Sequence, residues 1–267
     1  MLVAPGLRGA EIIAHRGASY DAAENTLAAF NRAWQQGADA VELDIYLTKD
    51  HKIVAIHDAT AKRTTGVALD VADSTFAELQ RLDAGAWKGI AWKGERIPSL
   101  AQVLATKPVG KRLFIEIKCG PEILPELERV IKKSGQPATE LALIGFRYET
   151  MKQAKERFPR LAVYWIVSSK RNGQGKSPAI EELMDEWIGK AKGAHFDGLD
   201  LSYRVVLDRA AVDRVHEAGL KLYAWTVNDA NVARSLVALG FDGITTDRPG
   251  WLRDRLAGKP EAEPDSR

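Results

Sequence analysis

Short runs rich in β-branched and aliphatic residues alternate with longer amphipathic stretches along most of this chain, and no other feature narrows the fold so far. The runs are Ile12–His15, Ala40–Asp44, Leu113–Lys118, Leu141–Phe146, Ala162–Val167, Asp197–Leu201, Leu220–Thr226 and Asp242–Thr246, eight in all. Between most of them the spacing predicts helices over Thr26–Gln36, Glu122–Ser134, Tyr148–Phe158, Ala179–Lys192, Leu207–Ala218 and Ala230–Leu239. Gly37, Gly135, Gly219 and Gly240 stand just past four of these, where a chain leaving a helix often turns left-handed. Such alternation builds a parallel sheet with crossover helices, and eight units close an α/β barrel, the (β/α)8 TIM barrel. A doubly wound open sheet would not call for so regular a repeat.

One strand-like run, Ile53–Ile56, breaks the rhythm. It follows Asp44 too closely for a parallel crossover, which takes about a dozen residues. The second strand is therefore expected to run past the barrel rim, reverse near Lys49–Lys52 and return antiparallel, leaving His57 at the C-terminal rim. Barrel active sites sit at that rim. From Ala59 to Pro108 the β/α pattern lapses into turns with short helices near Thr75–Gln80 and Leu100–Ala105, which reads as an insertion over the mouth, after the second-strand hairpin. Residues 1–256 are thus expected to form one barrel domain, followed by a disordered tail over 257–267, and the Gly-rich stretch Ser168–Ser177 to be a mobile rim loop.

The 38 basic and 36 acidic residues are well mixed, so no basic face points to nucleic acid or an anionic membrane. The N-terminal residues do not read as a secretory signal, and no apolar run approaches the roughly 18 residues that span a bilayer, so no membrane anchor is expected. Cys119 is the single cysteine, which rules out an intrachain disulfide or a cysteine-based zinc site and suits the cytoplasm. It reads as a packing residue.

Four strand ends carry chemistry: His15 and Arg16; Glu42 and Asp44; His57 and Asp58; Glu116 and Lys118. Glu42 and Asp44 are two apart on a strand and point the same way. Such a pair repels unless a cation lies between or one acid keeps a proton. With Glu116 on the neighbouring strand they form an all-oxygen pocket suited to Mg²⁺ or Ca²⁺. His15 and His57 are the natural general acid and base, and Arg16 and Lys118 supply the fixed positive charge that a bound phosphate needs. Taken singly, each histidine reads as structural rather than catalytic, and Glu42 and Asp44 alone read equally as a charged rim paired with Arg16 and Lys118. Asp58 fits two roles, orienting Arg16 or capping the insertion. His51, His195 and His216 read as non-catalytic.

These pieces, in order, resemble the glycerophosphodiester phosphodiesterase family over nearly the whole chain. The matching segments are His15-Arg16-Gly17, Glu24-Asn25-Thr26, Gly37-Ala38-Asp39, Glu42-Leu43-Asp44, Thr48, His57-Asp58, Pro98-Ser99-Leu100, Glu116-Ile117-Lys118 and Asp242-Gly243-Ile244-Thr245-Thr246-Asp247-Arg248-Pro249. The resemblance implies a barrel with a family-specific insertion, one divalent metal (Mg²⁺ or Ca²⁺, with Mn²⁺ as a further candidate) on Glu42, Asp44 and Glu116, and His15 and His57 as catalytic pair. It implies that Trp225 flanks the substrate's glycerol and that Phe146 packs on the substrate. Two positions depart from the family pattern: Ala23 replaces a proline, and Ile144-Gly145-Phe146 replaces a Ser-Phe pair. The expected activity is metal-dependent hydrolysis of a small-molecule glycerophosphodiester to glycerol 3-phosphate and an alcohol. The rivals are a phospholipase D-type activity on lysophospholipids, with Trp87, Trp92, Phe146, Trp165 and Trp225 lining an apolar groove, and a non-catalytic phosphodiester-binding barrel.

Overall fold

The computed structural model describes residues 9–168 and 180–260. Eight strands run parallel: β1 (Glu11–Ala14), β2 (Ala40–Leu47), β4 (Arg112–Ile117), β5 (Leu141–Gly145), β6 (Ala162–Val167), β7 (Gly198–Ser202), β8 (Lys221–Trp225) and β9 (Gly243–Thr246). The short β3 (Ile53–Ala55) lies antiparallel on the end of β2. Each parallel strand pairs with its successor, and β1 pairs with both β2 and β9, so the sheet closes into the expected barrel. The α-helices are α1 (Leu27–Gln35), α2 (Lys62–Thr65), α3 (Phe76–Gln80), α4 (Leu100–Thr106), α5 (Leu124–Ser134), α6 (Tyr148–Arg157), α7 (Ile180–Gly193), α8 (Arg209–Glu217), α9 (Ala230–Leu239) and α10 (Pro249–Leu256).

Strand parity divides the apolar residues into two layers. Val41, Leu43 and Ile45 of β2, like Leu113, Ile115 and Ile117 of β4, face outward into the core shared with the helices. Ile13, Ala40, Phe114, Ala142, Ile144, Tyr164, Ile166 and Tyr223 fill the barrel interior. Near the strand starts Phe114 stacks on Tyr164 and meets Tyr223 edge to face, and Arg112 lies over Phe114 while donating to Glu11 Oε2 at 2.7 Å. This end of the barrel is plugged, leaving the C-terminal rim as the open one.

The irregular run behaves as its spacing predicts. Thr48 N donates to Lys52 O at 2.8 Å, the chain reverses, and Ile56 N returns to Asp44 O at 3.0 Å. His57 therefore follows directly on the residue bonded to Asp44. The insertion that begins here has its own small core of Val54, Ile56, Ala61, Val71, Leu79, Ala84 and Ile97. Its last helix differs from expectation. In α4, Leu100, Val103 and Leu104 are buried in the outer barrel core, so this helix is the barrel's own crossover rather than part of a cover over the mouth. The apolar spacing at 100, 103 and 104 is the signal, and the capping box of Ser99 and Gln102 starts the helix. The rim loop expected at Ser168–Ser177 lies, beyond Ser168, outside the described residues, as does the tail beyond residue 260.

Candidate active site

Parity and register gather the polar strand ends. Glu42 and Asp44 share the inward face of β2 with Ala40, and Asp44 sits opposite Glu116 in the β2–β4 register. All three acids are buried, and each offers an oxygen within 4.8 Å of the others. No other set of three ligating side chains is found among the described residues.

Neighbours hold each acid in place. Glu42 Oε2 accepts from the Arg16 backbone N–H at 2.8 Å. Asp44 Oδ2 accepts from Asn25 Nδ2 at 2.8 Å, and the Asp44 N–H returns to Asn25 Oδ1 at 3.2 Å. Glu116 Oε1 accepts from Lys118 Nζ at 2.8 Å. Lys118 Nζ lies 3.4 Å from Asp44 Oδ1, and Arg16 Nε 3.1 Å from Asp44 Oδ2. Arg16 (φ 53°) and Asn25 (φ 56°) are both left-handed. For a residue such as Arg16 that conformation costs about 1–2 kcal/mol, and it aims the Arg16 N–H at Glu42. The Asn25 N–H, 3.0 Å from Arg16 O, ties the two turns together.

The charged rim paired with Arg16 and Lys118 is thus present, yet it leaves the acids unsatisfied. Glu42 Oε1 and Asp44 Oδ1 are buried without a hydrogen-bond partner. Burial, then the neighbouring Asp44 and Glu116, pushes Glu42 well above the usual carboxylate range. Glu116 is pushed up to about 7 by burial and then by Asp44. For Asp44 burial acts the same way, but Arg16, Lys118, His57 and His15 together outweigh it and hold the carboxyl low. Three acids that cannot ionise together unaided, two with orphaned lone pairs, fit a hard divalent cation.

Each histidine is held by an aspartate. His15 Nδ1 lies 2.7 Å from Asp247 Oδ1, and His57 Nδ1 lies 2.6 Å from Asp58 Oδ1. A carboxylate partner fixes the proton on Nδ1 and leaves Nε2 as the free ring nitrogen. Burial lowers the His57 pKa, with Asp44 opposing it and Arg16 and Lys118 reinforcing it. Asp58 therefore takes neither role foreseen for it. It orients His57, and its other oxygen accepts from Arg63 Nε at 2.6 Å. Arg63 also grips Glu24 through two bonds of 2.7 and 2.8 Å, and Glu24 in turn accepts from Arg16 Nη1 at 3.0 Å. One chain of contacts so links the insertion to both Arg16 and His57.

A cavity of about 160 Å³ opens over these groups, lined by His15, Arg16, Glu42, His57, Glu116, Lys118, Phe146 and Trp225, with Ile144, Ile166, Asp200, Thr226 and Thr245 completing the wall. The Phe146 and Trp225 rings meet edge to face at 5.5 Å. The other aromatics grouped with them do not line it. Trp165 faces outward by parity and packs on Tyr148 of α6, while Trp87 and Trp92 belong to the insertion's short turns. His51, His195 and His216 do not line the cavity either. Cys119 is half-buried, and burial raises its thiol to about 11, as befits a packing residue.

The roles of Asp247, Arg63 and Asp200 were not foreseen from sequence. Asp247 follows the apolar run of β9, the same strand-end signal that marks the other site acids. Asp200 sits between leucines in Leu199-Asp200-Leu201, where a lone charge in a strand is itself conspicuous. Arg63 carries no sequence signal.

The sequence profile of the glycerophosphoryl diester phosphodiesterase family matches residues 15–251. The Bacillus subtilis (strain 168) protein YhdW is 38% identical over 245 residues, covering 90% of this chain and 96% of its own. A glycerophosphodiester phosphodiesterase of Caldanaerobacter subterraneus subsp. tengcongensis is 33% identical over 247 residues, 90% of this chain and 95% of its own. Among solved structures, a phosphodiesterase of Oleispira antarctica in complex with the product sn-glycerol-3-phosphate superposes with a TM-score of 0.83 at 30% identity, covering 93% of this chain and 97% of that one.

Proposed function

Since the chain belongs to the glycerophosphoryl diester phosphodiesterase family and is a phosphodiesterase of that class, we propose that it hydrolyses small glycerophosphodiesters to sn-glycerol 3-phosphate and an alcohol, with a divalent metal on Glu42, Asp44 and Glu116 and with His15 and His57 as proton-transfer pair. The observation that carries this reading is one cavity lined by Glu42, Glu116 and two histidines, with Asp44 converging on both acids and each histidine's Nδ1 engaged by an aspartate. When bound, a divalent cation supplies positive charge that stabilises the extra negative charge of the phosphoryl transition state.

The remaining work falls to the chain's own side chains. Arg16 and Lys118 present fixed charge to the non-bridging phosphate oxygens. One imidazole takes a proton, at Nε2, from the attacking water or glycerol hydroxyl, and the other gives one to the departing alcohol; where the hydroxyl attacks, the resulting cyclic phosphate is opened by water in a second step with the proton transfers reversed. Asp247 and Asp58 hold Nδ1 protonated in both rings, so that Nε2 of the neutral base is free to accept and Nε2–H of the acid, an imidazolium, is placed to donate. Phe146 and Trp225 pack against the organic part of the diester. Replacing His15 or His57 by alanine is expected to lower kcat by about 10²–10⁴-fold.

Purified protein is to be assayed for sn-glycerol 3-phosphate release from glycerophosphocholine, first with EDTA and then with Mg²⁺, Ca²⁺ or Mn²⁺ restored. Release that stops in EDTA and returns with metal supports the reading. Failure with every metal, while a lysophospholipid is cleaved, would move the activity to the phospholipase D type.

A further inference from the structure

Of the residues lining the cavity, Asp200 is the one charged side chain that the chemistry above leaves unused. It is 3% exposed on the inward face of β7, and its carboxyl makes no hydrogen bond to any described residue. Its register neighbours are Ile166 on β6 and Tyr223 on β8, and Ile144 and Thr245 share the cavity wall with it. A buried carboxyl with no donor and no cation beside it costs stability and packs no better than leucine. Nothing in the fold offsets that cost, whereas a ligand group entering the cavity would.

The surroundings narrow what that group is. A phosphate oxygen would be repelled by a carboxylate. A second metal lacks ligands, because the only converging acids among the described residues are Glu42, Asp44 and Glu116. A quaternary ammonium needs an aromatic cage, but only Trp225 and Phe146 bring aromatic rings to the cavity, and Phe146, 42% exposed, stands at the open end. A hydroxyl fits, being small, neutral and able both to donate and to accept.

We infer that Asp200 is a specificity residue that hydrogen-bonds a free hydroxyl on the glycerol side of the bound phosphodiester. Trp225 reinforces the placement, since its indole N–H donates to the Asp200 carbonyl at 3.3 Å and so ties the aromatic wall to the neighbouring strand, β7. The inference rests on the glycerophosphodiester reading and adds to it the contact that rejects a diester lacking that hydroxyl.

The test is calorimetric binding, with Mg²⁺ or Ca²⁺ present, of sn-glycerol 3-phosphate, 1,3-propanediol phosphate and 1,2-propanediol 1-phosphate. Each of the last two lacks one hydroxyl, and no chemistry intervenes. Wild type is expected to bind one of them about tenfold or more weaker than the glycerol compound. Asp200→Leu should erase that ratio to within about twofold while Asp200→Asn, still a donor and acceptor, keeps most of it. Because leucine removes an unpaired carboxyl, the melting temperature of Asp200→Leu should equal or exceed that of wild type. Equal weakening of all three ligands, an unchanged ratio, or a fall in melting temperature would each overturn the inference. So would weakening by Asp200→Leu confined to choline phosphate, titrated alongside as a headgroup probe, which would assign the carboxyl to the headgroup. Wild-type turnover of glycerophosphocholine, measured in parallel, separates the two readings. Turnover without Asp200-dependent discrimination sinks this inference alone, whereas absence of both turnover and binding sinks the function reading and this one with it.

Discussion

His15 and Asp247 are 232 positions apart in the chain, yet Nδ1 of one lies 2.7 Å from Oδ1 of the other. The contact exists because the barrel closes: β1 pairs with β9, and Ala14 and Thr246, the residues just before the pair, are register partners. Ser19 Oγ and Asn228 Nδ2 also donate to Asp247, so the carboxylate that fixes the His15 ring is itself fixed. Asp247→Asn keeps the shape but loses the acceptor that selects the Nδ1–H tautomer. The expected result is a fall in kcat of about 10²–10⁴-fold with KM changed little. Steady-state kinetics on glycerophosphocholine check this, and a variant with near-normal kcat would remove His15 from the proton-transfer pair.

The same residue predicts how stability responds to acid. Burial tends to raise the Asp247 carboxyl, but the His15 bond, with Asn228 and Ser19, outweighs it and holds the group down to about 2, against an ordinary 3.8. A carboxyl depressed on folding contributes stability that is present above its unfolded-state value and fades as pH falls toward the folded one. The contribution, at most about 2 kcal/mol, is therefore lost between about pH 4 and pH 2. Urea unfolding of wild type and Asp247→Asn should differ near neutrality and converge across that interval. A constant difference down to the acid limit would show that the bonds to Asp247 are not charge-assisted.

Much of this was legible in the sequence because two short-range rules operate everywhere in a barrel. Period-two parity placed Glu42 and Asp44 on one face, and the short spacing from Asp44 to Ile53 forced the hairpin that brings His57 back beside them. What escaped depended on where side chains aim in the folded chain. The order of residues around Asp58 does not distinguish a partner for His57 from one for Arg16; the choice is made when Arg63, five residues on, draws the outer carboxylate oxygen toward the insertion. The outward aim of Trp165 was readable from parity, since it alternates with the inward Tyr164 and Ile166. The role of α4 was obscured because an irregular stretch precedes it, although its own apolar spacing is that of a packed helix.

Metal binding has a readout independent of turnover. Glu42 Oε1 and Asp44 Oδ1 are buried without a hydrogen-bond partner, so filling the site should stabilise the fold. At a metal concentration near 100 times Kd the gain is about 2.7 kcal/mol. Differential scanning calorimetry should show Mg²⁺ or Ca²⁺ raising the melting temperature and EDTA reversing it. Glu42→Gln, which relieves repulsion among the acids, should melt no lower than wild type in EDTA but lose most of the metal-induced rise. A wild type whose melting is indifferent to every divalent cation would count against the three acids as ligands.

Arg63 is 43% exposed, so its ion pairs with Asp58 and Glu24 should be worth little to stability, about 1 kcal/mol or less. Its effect on activity is expected to be larger. Arg63→Met releases Asp58, which holds His57, and Glu24, which holds Arg16. The expected outcome is a kcat lowered by about 10–100-fold with a melting temperature near that of wild type. Equal, small effects on both would mean that the insertion covers the site without positioning it.

Gly17 provides a test of how tightly the first site turn is packed. An added Cβ there would lie 2.5 Å from the Ala29 carbonyl carbon and 2.7 Å from the Ala29 Cβ, both in α1, and the residue has φ +81°. Gly66 has nearly the same conformation, φ +77°, but a Cβ added there would meet nothing within 4 Å. Gly66→Ala thus isolates the left-handed backbone cost, about 1–2 kcal/mol, while Gly17→Ala adds a collision with helix backbone that no rotamer can relieve. Denaturant unfolding should place Gly17→Ala about 3 kcal/mol or more below wild type and well below Gly66→Ala. Relief of that collision requires α1 and the His15–Gly17 turn to separate, which would shift Arg16 away from Glu42. Gly17→Ala should therefore also lose metal-induced stabilisation, whereas Gly66→Ala should retain it. Equal destabilisation by the two variants would mean that α1 can yield, and that the turn carrying His15 is held by its hydrogen bonds alone.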